Sequence, residues 1–312
     1  MTSSLIIGTR GSKLAIAQAE LISSELRRLN PGIALRIQII KTTGDLKTDP
    51  LSVIGGKGVF TRELEEALLE RRIDVAVHSL KDLPTVIPNG LKLSAICARE
   101  NSQDALVLSR GLNQPNASIR NLPQKAVVGT SSPRRTAQLW YLRRDLDIRD
   151  IRGNIDTRLR KLDEGQYDAL ILAAAGLRRL KIENRISCLI APEDMLPAVG
   201  QGAIGLETRD DDHLAIDITA RADDVAARLA CTAERALLQA LGGGCQLPIA
   251  GHAEIFGQQL RIEGLVADTP GSRIVRDHMT GDVDEAEEIG ASLGKRLLER
   301  GAQLLNSADE ES

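Results

Sequence analysis

Short apolar runs alternate with amphipathic helical stretches along the first two-thirds of the chain, and this alternation restricts the fold more than any other feature. Leu5-Ile6-Ile7-Gly8-Thr9 reads as a strand and leads into a helix with Ala15, Ile16, Ala19, Ile22, Leu26 and Leu29 on one face. Asn30-Pro31-Gly32 ends that helix, and a strand over Ala34–Ile40 follows. A helix over Thr61–Arg72 precedes Asp74-Val75-Ala76-Val77-His78, an apolar run of the kind buried on both faces. The pattern repeats in the next segment. Ala105–Leu108 and Ala126–Gly129 read as strands, Pro133 opens a helix at a position where its missing N–H costs nothing, and Ile148–Ile151, Ile155–Leu162 and Ala169–Ala173 continue as strand, helix and strand. Strands alternating with helices imply βαβ units and a parallel sheet. With 312 residues, too many for one small core, two such α/β units are the simplest account.

The last hundred or so residues change character. Pro192 and Pro197 mark a boundary, and Ala203–Glu207 reads as a returning strand. A helix over Asp224–Leu241, strands over Ala250–Phe256, Leu260–Asp268 and Ser272–Met279, and a helix with Ala286, Ile289, Leu293 and Leu297 on one face describe a small α+β domain.

Charge narrows the function. The chain has 30 Arg against 10 Lys, and Arg offers a planar fork that grips carboxylate or phosphate bidentately. Residues 1–100 carry a net charge of +3, residues 101–200 one of +5 and residues 201–312 one of −11. The first two-thirds therefore suit an anionic ligand. Nucleic acid is a poor candidate: five aromatic residues (Phe60, Trp140, Tyr141, Tyr167, Phe256) make few stacking platforms, and the chain as a whole is acidic. Cys97, Cys188, Cys231 and Cys245 form no C-x-x-C pair and have no His at zinc spacing, so no metal site is expected. No apolar run approaches a membrane span, and the N-terminal residues do not read as a signal peptide. The expectation is a cytoplasmic monomer, with no nucleic-acid or membrane partner.

Four segments can carry chemistry. Gly8-Thr9-Arg10-Gly11-Ser12 joins a strand to a helix, where backbone N–H groups and an Arg make either an anion site or an ordinary capped turn. His78-Ser79-Leu80-Lys81-Asp82-Leu83-Pro84 follows a buried strand, the place where open α/β sheets hold ligands. Alone, such a Lys-Asp pair is more often a surface pair on a loop, and His78 reads as a satisfied, partly buried histidine. Gly129-Thr130-Ser131-Ser132-Pro133-Arg134-Arg135 begins a band of eight Arg between 134 and 160. Arg134, Arg135 and Arg152 sit where strands end or helices begin, positions that point into the cleft of such a fold. Arg143 and Arg144 read as a solvated helix face. Gly242-Gly243-Gly244-Cys245 leaves a thiol unshielded by neighbouring side chains, or is a flexible loop with an incidental cysteine. The other three cysteines read as inert packing residues.

Taken together these segments resemble the porphobilinogen deaminase (hydroxymethylbilane synthase) family. The resemblance spans the chain in order: GTRGS at 8–12, GGKGVF at 55–60, HSLKDLP at 78–84, GTSSPRR at 129–135, IRGNIDTRLRKL at 151–162, AAAGLRRL at 173–180, LPAVGQGA at 196–203 and GGGCQLPI at 242–249. It implies two α/β lobes similar to those of periplasmic binding proteins, with the active cleft between them, and a small C-terminal α+β domain. The first lobe would comprise residues 1–98 and 202–221, the second 99–201 and the third domain 222–312. It also implies a transferase that joins four porphobilinogen molecules head to tail with loss of ammonia and releases hydroxymethylbilane by hydrolysis. Growth would occur on a dipyrromethane cofactor held through a thioether to Cys245.

The residue roles follow from the same resemblance. Asp82 is implied as the catalytic carboxylate. Cofactor contacts fall to Cys245, Lys81, Asp82, Ser12, Thr130, Ser132, Arg134, Arg135 and Arg158, and substrate contacts to Arg10, Arg152, Arg158, Arg179, Phe60 and Gln201. Residues 47–58 are expected to form a lid. Two rivals remain at this level. One is a non-enzymatic two-lobed organic-anion-binding protein, which would have no use for a carboxylate in its cleft. The other is a cysteine hydrolase pairing Cys245 with His78.

Overall fold

A computed structural model describes residues 4–42, 60–112, 116–243, 247–268 and 271–306, the last five of these as backbone only. The chain divides into two compact units, residues 1–100 with 202–228 and residues 101–201 with 229–312.

In the first unit, β1 (Ser4–Thr9) runs into α1 (Lys13–Leu29). The Ser12 hydroxyl accepts from the Ala15 N–H and caps the helix, and Ala15, Ala19, Ile22 and Leu26 turn inward. At the far end the Asn30 amide donates to the Leu26 carbonyl, and Gly32 takes φ +88°, so the chain reverses. Next come β2 (Ala34–Ile39), α2 (Arg62–Leu69), β3 (Val75–Ser79) and β4 (Leu91–Ile96). The sheet is completed by β10 (Ile204–Arg209), the return strand expected at 203–207, and α6 (His213–Ala220) follows it. Strand order is β2-β1-β3-β10-β4, with β1 parallel to both β2 and β3 and β10 antiparallel to its neighbours. Leu5, Ile7, Val75 and Val77 pack with α1 on one face. Ala76 packs with Leu64, Ala67 and Leu68 of α2 on the other.

The second unit repeats this plan. Its strands are β5 (Asp104–Leu108), β6 (Val127–Gly129), β7 (Asp147–Arg149), β8 (Ala169–Ala173) and β9 (Cys188–Leu189), in the order β7-β6-β8-β5-β9. Here too the first of the three parallel strands, β6, lies between the second and third, β7 and β8, and the antiparallel strand β5 is placed next to the third. The helices are α3 (Pro133–Leu142), α4 (Ile155–Asp163) and α5 (Ala174–Arg179). The repeated order gives both sheets one property: loops leaving the parallel strands emerge at a single carboxyl edge.

The C-terminal segment is α+β as expected. After α7 (Val225–Ala240), the antiparallel sheet β11 (Ile249–Phe256), β12 (Gln259–Ala267) and β13 (Ile274–Asp282) packs under α8 (Ala286–Asn306), whose Ile289, Leu293 and Leu297 are buried. Ala250, Leu265 and Ala267 of this sheet share an apolar cluster with Ala137 and Leu196, so within the second unit the small sheet is joined to the α/β layer. Gly271 lies so close to the backbone of Ala137 that an added Cβ would fall 2.3 Å from its carbonyl oxygen. Four elements were not read from the sequence: β4, β9, α5 and α6.

Candidate active site

At the carboxyl edge of the first sheet, adjacent parallel strands deliver two of the expected segments side by side. β1 leads to Arg10-Gly11-Ser12, and β3 leads to a single 3-10 turn, Leu80–Asp82. Ser79 and Gln18 exchange side-chain hydrogen bonds at 3.0 and 3.1 Å, tying the end of β3 to α1. The Leu80 N–H donates to the Ala203 carbonyl, and the turn closes with Leu83 N–H on the Leu80 carbonyl. Lys81 and Asp82 are half-buried. The Arg10 guanidinium stacks over the Phe60 ring, 4.1 Å from its centroid, so two of the expected substrate contacts are neighbours. Ser12 remains half-buried while it caps α1.

At the corresponding edge of the second sheet, β6, β7 and β8 release Thr130–Arg135, Asp150–Arg158 and Ala174–Arg179. Thr130 is buried, and its hydroxyl accepts from the Ser132 N–H. The Ser131 hydroxyl donates to the Ile151 carbonyl and accepts from the Ile151 N–H, both at 2.9 Å, which locks the turn after β6 to the chain before Arg152. Gly153 has φ +105°, and the Arg158 Nε–H donates to its carbonyl at 2.7 Å. Arg152, Arg158 and Arg179 are half-buried. Gly8 and Gly129 hold equivalent places at the two strand ends, where a Cβ would strike Ile73 or Leu170. Cys245 and the expected lid at 47–58 lie outside the described residues.

A family description printed as "Porphobilinogen deaminase, dipyromethane cofactor binding domain" matches residues 5–217, and one for the C-terminal domain of the same enzyme matches residues 228–299. The porphobilinogen deaminase of Roseiflexus sp. (strain RS-1) is 47% identical over 306 residues, 98% of this chain and 99% of that one. That of Syntrophobacter fumaroxidans is 46% identical over 98% of each chain. The chain belongs to the porphobilinogen deaminase family. It is a transferase of tetrapyrrole biosynthesis that condenses porphobilinogen with the aid of a dipyrromethane cofactor. Similar solved structures include a TRAP periplasmic solute binding protein from Desulfovibrio salexigens (11% identity, 73% of each chain, TM-score 0.44). An ancestral arginine-binding protein is also similar (14% identity, 71% of this chain and 91% of that one, TM-score 0.39).

Within this porphobilinogen deaminase family member the arginine band divides in a way that its sequence does not show. Arg134 and Arg135 do not stand open at the sheet edge as their positions suggested. Both are buried, and both pair with Asp104, a carboxylate with no exposed surface. Arg135 donates through Nε and Nη2 to one carboxylate oxygen and through Nη1 to the Ile171 carbonyl. Arg134 pairs with the other oxygen at 2.8 Å and donates to the Leu196 carbonyl. Burial alone would raise the Asp104 pKa, but the Arg134 and Arg135 charges override it and hold the group well below the usual carboxylate range. Gln201, expected at the substrate, is also buried and donates to Asp104 at 3.0 Å and to the Ser102 carbonyl at 2.7 Å. Asp104 and Ser131 were missed in the sequence. Asp104 was overlooked because it immediately precedes the apolar run that marks β5, and Ser131 because its partner is 20 residues away.

Arg143 and Arg144 also correct the sequence reading, because neither is merely a solvated charge. Arg143 grips Asp145 bidentately at 2.7 Å and donates to the carbonyls of Ile119, Arg120, Leu122 and Pro123. Arg144 donates to the Gly271 carbonyl at 3.0 Å. Arg143→Ala is therefore expected to lower the thermal midpoint measurably, because it strips the donors from a whole turn, while folded protein keeps normal porphobilinogen turnover. A scan with unchanged midpoint would return Arg143 to the solvated face. His78 is 4% exposed and hydrogen-bonded to Glu207, and the family match is to a deaminase, not to a cysteine hydrolase. Cys97 and Cys231 are buried, and burial pushes the Cys188 thiol up, in keeping with packing roles.

Proposed function

We propose that Asp82 is the catalytic carboxylate and that the two sheet edges hold the carboxylates of the cofactor and growing chain. The observation that carries this reading is the Lys81-Asp82 turn at the carboxyl end of β3, beside the Arg10-Ser12 segment of β1. Porphobilinogen carries an acetate and a propionate, so its oligomer is a polyanion. The donor set fits such a ligand: Arg10, Ser12 and Lys81 in one unit, and Thr130, Ser132, Arg152, Arg158 and Arg179 in the other, are all cations or hydroxyls. Arg134 and Arg135 contribute through N–H groups beyond those on Asp104, since a guanidinium carries five. Each charge-assisted hydrogen bond to a carboxylate is worth about 1.5–3 kcal/mol. Gln201 acts from below, through Asp104, and Phe60 packs against the substrate ring while Arg10 stacks on its face.

The cofactor supplies the free pyrrole α-carbon on which the chain grows. Asp82, as a carboxylate, would place a fixed negative charge where C–N cleavage and ammonia loss from porphobilinogen develop positive charge, and would take up the proton that the pyrrole α-carbon releases once the new C–C bond has formed. Lys81 holds a cofactor carboxylate. Cys245 provides the thioether attachment. On this reading the chain forms three domains, 1–98 with 202–221, 99–201 and 222–312, in a cytoplasmic monomer.

The test is the intact mass of purified protein. It should exceed the sequence mass by two porphobilinogen units less the ammonia lost in joining them, and the adduct should map to the peptide bearing Cys245. Cys245→Ser should remove the adduct and the activity, and should lower thermal stability because a group bound only to the folded state stabilises it. Fully active protein of unmodified mass would overturn the attachment.

A further inference from the structure

His78 and Glu207 form a buried polar pair that the chemistry above does not use. His78 lies on β3, four residues before Asp82, and Glu207 lies on the return strand β10. The register places Gly205 opposite His78 and Glu207 opposite Ala76, so the two side chains are diagonal neighbours on one sheet face. His78 Nε2 and a Glu207 carboxylate oxygen are hydrogen-bonded at 2.9 Å, and their side chains are 3% and 0% exposed. That face is covered by α2, which begins just after Phe60 and carries Glu65 in its first turn. Burial raises the Glu65 pKa, and Glu207 adds to that rise while the Thr61 hydroxyl and His78 oppose it.

An all-apolar contact would serve stability at least as well here. A buried ionic or polar pair seldom exceeds a packed hydrophobic one in stability, and what it adds is direction. The opposite face of the same strand does use an apolar contact, with Val75 and Val77 buried against α1. The segment beyond His78 has further anchors at Ser79 and Leu80. Ser79 is bonded to Gln18, the Leu80 N–H to the Ala203 carbonyl, and the Leu80 side chain fits against Gly205, where an added Cβ would come within 3.0 Å of it.

We propose that His78 and Glu207 are positioning residues for Asp82: their hydrogen bond fixes the end of β3 against β10 and thereby sets the direction in which the Leu80–Asp82 turn presents its carboxylate. The proposal rests on Asp82 as the catalytic group. It acts through the turn, so it should be felt in the chemical step rather than in ligand capture.

The experiment compares cofactor-loaded wild type, Glu207→Gln, and the double variant His78→Leu with Glu207→Leu. Porphobilinogen turnover, KM, adduct mass and thermal midpoint are measured on the same preparations. The double variant removes the pair without leaving a buried orphan. It should keep the adduct and a KM within about twofold, and lose at least tenfold in kcat, a change of about 1.4 kcal/mol in the barrier. Glu207→Gln, whose carbonyl still accepts from His78, should retain kcat within about threefold. A double variant with wild-type kcat, or one whose whole loss is in KM, overturns the proposal. If the leucine pair does not fold, Glu207→Ala decides: a tenfold loss of kcat at unchanged KM supports it, and unchanged kcat overturns it. Failure of the underlying assignment is distinct, because it would show as a fully active Asp82→Asn protein whatever the behaviour of Glu207.

Discussion

Asp82→Asn should retain the cofactor adduct yet consume porphobilinogen at least about a hundredfold more slowly in a single turnover, the usual cost of removing a positioned acid–base or electrostatic group. The substitution keeps the shape of the side chain and one acceptor oxygen. It removes the charge that faces the developing cation and the ability to take up a proton. Asp82→Glu restores both but shifts them by one methylene at the end of a turn held by Leu80 and Leu83, so it should recover part of the loss. Loading of the variants with a preformed bilane separates assembly of the cofactor from its use. Single-turnover rates on wild type, Asn and Glu proteins of equal adduct content make the comparison, and an Asn variant as fast as wild type would assign the proton transfer to another group.

Asp104→Asn is expected to have the largest effect on stability. Asp104 is the shared counter-ion of Arg134 and Arg135, whose side chains are 5% and 8% exposed. Removing one partner of a buried ion pair leaves an uncompensated charge and costs about 3–5 kcal/mol. For a chain of this size that lowers the thermal midpoint by roughly 5–8 °C. The effect has a defined pH dependence. The folded-state pKa of Asp104 is depressed, so its stabilisation is fully present above the ordinary carboxylate pKa and is lost only as pH falls through the lower folded value. The difference between wild type and Asn should therefore stay constant from pH 5 to 8, about one unit and more above the ordinary carboxylate pKa, and shrink in stronger acid. Turnover should fall as well, since Arg134, Arg135 and Gln201 lose their common anchor together. A midpoint within a degree of wild type across that range would show that the two guanidiniums are neutralised elsewhere.

Much of the architecture was legible because its signals are local. The continuous apolar runs at 75–77 and 169–172 are buried strands, and the helices starting near Lys13 and Pro133 begin where Ser12 and the proline say they should. The motif positions at 8–12, 78–84 and 129–135 all follow strands, and the parallel pairing puts each group at a carboxyl edge. The elements that escaped notice lack such signals. In β4, Lys92 and Ser94 interrupt the apolar pattern, and Ser94 is buried only because Leu206 and Thr219, more than a hundred residues away, accept and donate its hydrogen bonds.

The amino-acid order alone determined the alternating α/β plan, the α+β end of the chain, the excess of arginine and the family, because periodicity, composition and motif order are properties of neighbours in sequence. Only the tertiary structure decided what each charge does. Arg134 and Arg152 look alike as side chains that follow strands, yet one is buried on Asp104 and the other is half-buried at the sheet edge. Arg143 looks solvated and holds a turn, and His78, which reads as a partly buried histidine, finds its partner in Glu207, 129 residues away. The partner of a charge is chosen by which distant strand is laid beside it, and the free energy of that charge is set almost entirely by its partner and its access to water.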